Sequence, residues 1–148
     1  MLEKYRKECA YIRTLSSADA AAWVLKKYPP ESDGGKLYPI VLAHRSWKKR
    51  EQLILANAYL QNIPFASSRG YEDFLSFMSI PAFIRAIKDH LPDTPKDIGL
   101  LLYYLGPALR KYQRTPNDEC AITEFIHDLK SRIQGKGIPY EDAIRFIR

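Results

Sequence analysis

PIVLAHRSWKKREQLILANAYLQN, Pro39 to Asn62, is the stretch whose reading decides the fold. Read as one continuous helix at about 100° per residue, it places Ile40, Ala43, Trp47, Ile54 and Ala58 in one sector and Arg45, Lys48, Lys49 and Gln52 opposite. Pro39 suits the first helical position, where a missing N–H is harmless. A later start, at Ser46, would put Lys48, Lys49 and Arg50 at the positive end of the helix dipole, and that argues for the long helix. On this reading the cations form a solvated ridge, while Leu53, Leu55, Tyr59 and Leu60 surround the second half with apolar contacts.

Helical signals continue on both sides. Leu2, Tyr5, Cys9 and Ile12 recur every three or four residues, and Ser16 stands three residues before Asp19, the spacing of a capped helix start. Ala21, Val24, Leu25 and Tyr28 extend that second helix until Pro29 and Pro30 stop it. PPESDGGK, beginning at Pro29, reads as a surface loop. Further on, SIPAFIRAIKDHLP presents Ile80, Phe83, Ile84, Ile87 and Leu91 on one face. Two helices open identically with Thr-Pro-x-Asp: Thr94 and Thr115 as N-caps, Pro95 and Pro116 next, then Asp97 and Asp118. The first of these is apolar nearly all round, from Ile98 to Leu105, and should run through the middle with a kink at Gly106-Pro107. The second has a single apolar face at Ile122, Phe125, Ile126, Leu129 and Ile133, and Gly135 closes it. A last short helix is expected after Pro139. The sum is an all-α fold, a compact single-domain bundle of six to eight helices spanning residues 1–148, with a central kinked apolar helix.

The chain of 148 residues holds 46% hydrophobic and 27% charged residues, an ordinary globular balance. Its formal net charge of +6 lies entirely in the first third. Residues 1–50 contain 11 Lys and Arg against 5 Asp and Glu, and the remainder is balanced at 12 and 12. An excess of this size steers negatively charged partners of any kind. The two cysteines, Cys9 and Cys120, make no disulfide framework and read as small core residues. A charged start and the lack of a long apolar run predict a cytoplasmic protein with no membrane span.

No catalytic signature is present: the serine-hydrolase elbow, the zinc-protease pair, the phosphate loop and the dinucleotide fingerprint are all missing from the sequence. Glu124 and His127 form one E-x-x-H pair, but both fall on the polar side of their helix, so no metal is assigned. The acidic pairs Glu72-Asp73, Asp118-Glu119 and Glu141-Asp142 sit at helix starts, where negative charge is structural. The reading is therefore non-enzymatic, with no cofactor and no catalytic residue. Tyrosines near helix ends, Tyr38, Tyr71, Tyr112 and Tyr140, and the loop PFASSRGYEDF suggest a surface for another protein. Arg45, Lys48, Lys49, Arg69, Tyr71, Tyr112 and Arg114 are the candidate partner-binding residues. The expected function is a stoichiometric inhibitor in the manner of an immunity protein or antitoxin, forming a one-to-one complex. Because the chain is basic, its partner should present an acidic or a mainly apolar surface. Nucleic-acid binding by the basic face of the helix at about 39–62 is the alternative.

Overall fold

The computed structural model describes residues 3–29 and 38–134. The expected loop from Pro30 onward, the close at Gly135, the last helix and the candidates Tyr140, Glu141 and Asp142 lie outside the described residues, as do Leu2 and the side chain of Tyr38. Among the described residues eight helices follow one another: α1 (Glu3–Arg13), α2 (Ser17–Lys27), α3 (Tyr38–Leu42), α4 (Lys49–Leu60), α5 (Arg69–Leu75), α6 (Ile80–Lys88), α7 (Pro95–Tyr112) and α8 (Pro116–Gln134). No strand occurs among the described residues. The all-α bundle is as expected.

The packing has a simple order. α1, α3, α5 and α7 touch in sequence along one row, and α2, α4, α6 and α8 along another. The rows are joined at their ends by α1 on α2 and α7 on α8, and between them by α5 on α6. One contiguous apolar cluster reaches from Ile12 to Ile133. At its middle, Phe74 stacks on Tyr59 and Phe83 at 5.1 and 5.8 Å between ring centroids, and Phe77 leans on it at 5.3 Å.

Local chemistry explains where four of these helices begin. Ser16 Oγ accepts from the Asp19 amide (3.1 Å), Ser79 Oγ from Ala82 (3.3 Å), Thr94 Oγ1 from Asp97 (3.2 Å) and Thr115 Oγ1 from Asp118 (3.0 Å). Both Thr-Pro-x-Asp starts thus form as the sequence predicts. The apolar stripes follow: Ile80, Phe83, Ile84 and Ile87 of α6 and Ile122, Phe125, Leu129 and Ile133 of α8 are buried. Cys120, expected in the core, is exposed because it lies across the helix from that stripe, whereas Cys9 is buried.

α7 packs between α5 and α8 and buries Ile98, Leu101, Leu102 and Leu105, the predicted front. It continues through Pro107, whose ring is exposed and bears on the carbonyl of Tyr103, itself 39% exposed. The steric demand of the proline therefore falls on the solvent side of α7, away from its buried stripe. At Gly106 an added Cβ would meet nothing within 4 Å. Gly106→Ala should accordingly raise stability by about 0.5–1 kcal/mol, through lower unfolded-state entropy and better helix propensity, with urea unfolding as the measure.

The expectation of one continuous helix is overturned. The 39–62 helix is two helices, α3 and α4, separated by a turn and an extended segment over 43–48. Lys48 is the N-cap of α4, in extended conformation, so the cations do stand at the positive end of a dipole. That unfavourable placement costs about 0.3–1 kcal/mol at an exposed terminus. The joint described next offsets it with stronger contacts. Within α4, Leu55, Ala56, Tyr59 and Leu60 face the core, and Ile54, expected inward, is turned to solvent.

Candidate functional site

The segment Ala43 to Gln52 is a knot of side-chain-to-backbone bonds. Arg45 Nη1 donates to the carbonyls of Ile12 (2.7 Å) and Leu15 (3.0 Å), and its Nε to that of Ser46 (2.8 Å). The Ile12 and Leu15 carbonyls lie at and just past the last turn of α1, where the helix dipole is negative and a cation is favoured. The guanidinium also lies 4.7 Å from the centroid of the Trp47 ring. In return Arg13 Nε donates to the His44 carbonyl (2.8 Å). Trp47, buried, donates from Nε1 to the carbonyl of Leu42 at the end of α3 (2.9 Å). The amide of Lys48 donates to Ser17 Oγ (3.1 Å), and Gln52 Nε2 reaches the carbonyls of Trp47 and Phe77 (3.0 and 3.2 Å). A continuous helix would tie the Lys48 amide to the His44 carbonyl and withdraw them from Ser17 and Arg13.

This joint corrects the reading of Arg45. It belongs to no solvated ridge: it is half-buried, its Nη1 is spent on the end of α1, and its guanidinium lies over Trp47. Lys48, Lys49 and Arg50 are exposed as expected. Glu51, in the first turn of α4, is buried, so the helix shows no acid to solvent along its length. Its negative charge near the N-terminus also softens the dipole conflict.

Past the joint, Leu53 and Ile54 are 43% and 42% exposed. With Lys49 and Arg50 they occupy an arc of about 140° on one side of α4. α4 lies between α2 and α6 in its row, and Asn57 Oδ1 meets His90 Nε2 (3.1 Å) just beyond α6. The outward face of α4 is thus an apolar pair beside Lys49 and Arg50, with Lys48 at the N-cap. Of the four large apolar side chains exposed among the described residues, two are here; the others, Tyr11 and Tyr103, lie on α1 and α7.

The remaining candidates gather elsewhere. Lys111 Nζ bonds Glu72 Oε1 at 2.7 Å, and Ser68 Oγ donates to Glu72 Oε2 (3.0 Å), which puts the start of α5 beside the end of α7. Arg69 and Arg114 are exposed in that neighbourhood, and Tyr112 is half-buried against the core. Tyr71 is a correction: it is fully buried, its hydroxyl accepts from the Phe65 amide (3.2 Å), and burial pushes it up to about 12. It is a core residue with a satisfied hydroxyl and cannot reach a partner. The seven residues therefore form no single surface.

Two carboxylates in α5 are displaced from their ordinary range in opposite directions. The hydrogen bond from Lys111 holds Glu72 below its ordinary range, while burial raises Asp73, against the pull of Arg69. Glu72 thus adds stability above the unfolded carboxylate pKa and loses it as pH falls through its lower folded value. Glu72→Gln should lower the thermal midpoint slightly at pH 7, and the difference from wild type should vanish in strong acid.

Glu124 and His127 are both exposed, as their helix face requires, and no group of three potential metal ligands occurs among the described residues. No described helix is long and apolar enough to cross a membrane. Among known proteins, no family model, no curated protein and no solved structure matches the chain.

The apolar pair on α4 escaped the sequence reading. Its signal was present in Leu55, Ala56, Tyr59 and Leu60, which define the inward stripe once the helix starts at Lys49.

Proposed function

We propose that the chain is a protein-binding module that holds one partner against the outer face of α4. The observation that supports this is the exposure of Leu53 and Ile54 among Lys48, Lys49 and Arg50, on a helix whose one acid is buried. A partner surface with an apolar centre and carboxylates around it complements that pattern, the cations guiding encounter and the apolar pair holding the complex. Nucleic acid is served less well, since stacking needs an exposed aromatic beside the cations and Trp47 is buried under Arg45. A stoichiometric inhibitor, neutralising its partner as an immunity protein or antitoxin does, is the function we assign to such a module.

Covering what remains exposed of Leu53 and Ile54 is worth about 1 kcal/mol each, so losing both should weaken binding roughly tenfold or more. The test is recovery of a one-to-one complex from nuclease-treated cell extract, with wild type beside the Leu53→Ser/Ile54→Ser double variant. Retention by wild type in moderate salt and loss by the variant is the expected result. Equal retention by both, or a complex that vanishes with nuclease, would overturn the proposal, the latter in favour of nucleic acid.

A further inference from the structure

A second concavity lies on α7 and α8, away from the α4 face. It encloses about 340 Å³ and is lined by Leu102, Gly106, Pro107 and Arg110 from α7 and by Ile126 and Lys130 from α8. That volume is at the small end of ligand sites. Leu102, Gly106 and Arg110 follow one another at single-turn spacing along α7, and the absent side chain of Gly106 leaves a notch between the other two. Open space above the Gly106 Cβ position confirms the notch. Leu102, Pro107 and Ile126 supply apolar walls, and no acid is among the described residues that line the groove.

The Arg110 side chain is exposed and takes part in no hydrogen bond or ion pair among the described residues. A guanidinium beside an apolar notch has the two features that recognise an amphiphilic carboxylate: a planar fork that donates two parallel N–H bonds to the anion, and a hydrophobic recess for the body attached to it. Phosphate or a bare inorganic anion would leave the recess unfilled, and an amine would meet the like charge of Arg110. We propose that this groove binds a small carboxylate with an alkyl or aryl body, the carboxylate on Arg110 and the body over Gly106.

Octanoate is the probe, titrated into isotopically labelled protein while backbone amide shifts are followed. Saturable shifts centred on Gly106, Arg110 and Ile126 are expected, with octylammonium producing none. Arg110→Gln should weaken octanoate about tenfold. Gly106→Leu should abolish it by filling the notch, and Leu53→Ser/Ile54→Ser should leave it unchanged. Shifts scattered over the surface, equal binding of octylammonium, or equal affinity in Arg110→Gln would overturn the assignment. If Gly106→Leu does not fold, Gly106→Ala and Arg110→Gln decide the matter.

Discussion

Arg45→Ala is expected to remove about 2–3 kcal/mol of unfolding free energy, a large share of what a chain of this size possesses. The residue gives two charge-assisted hydrogen bonds to the end of α1 and covers an indole. Bonds of that kind are worth about 1.5–3 kcal/mol to stability, and stacking on Trp adds about 0.5–1 kcal/mol, discounted here because the site is half-exposed. Arg45→Lys should recover only a minority of the loss, since one ammonium cannot serve two carbonyls and lie flat on the ring. Urea unfolding measures the cost, and the emission of Trp47 should shift to the red as its cover is lost. Lys48→Ala and Lys49→Ala serve as contrast, each expected within about 0.5 kcal/mol of wild type. An Arg45→Ala variant as stable as those two would show that the joint does not hold α1.

Gly70→Ala is the second large effect, about 2–3 kcal/mol of destabilisation, and of opposite sign to Gly106→Ala. A Cβ on Gly70 would stand 1.7 Å from the Tyr59 hydroxyl and 2.5 Å from Cζ. The ring has little room to yield, being stacked on Phe65 at 4.6 Å and on Phe74 at 5.1 Å. Either α5 moves away from α4 or the aromatic cluster is broken, and overpacking of this kind costs about 1–3 kcal/mol. Tyr59→Phe removes the nearer atom, so the double variant Tyr59→Phe/Gly70→Ala should lose less than the two single losses added together. Strict additivity would mean that the clash is relieved elsewhere. The paired glycine predictions separate backbone preference from packing, because both positions are helical and only one faces a neighbour.

Much of the architecture was legible before any coordinates. The capped starts at Ser16, Thr94 and Thr115 and the stripes of α6 and α8 depend on groups three or four residues apart. The same locality made the Glu124–His127 pair readable as a solvated one. Tyr71 was misread because a tyrosine in a loop-like stretch gives no hint of a partner for its hydroxyl, and the amide of Phe65 becomes that partner only when the loop folds back. Cys120 was misread because an isolated small residue carries no periodic signal of its own.

What the sequence determined by itself was the helical class, the capped helix boundaries and the inward stripes, all set by bonds and periodicities within a few residues. The tertiary structure alone decided that the chain leaves the helix between Leu42 and Lys49 and that Arg45 turns inward. It also decided that Leu53 and Ile54 face outward. The physical reason is distance along the chain: the carbonyls of Ile12 and Leu15 that reward Arg45 stand 33 and 30 residues away, and Ser17, which receives the Lys48 amide, is 31 away. No local pattern weighs those bonds against a modest dipole penalty, yet together they outweigh it.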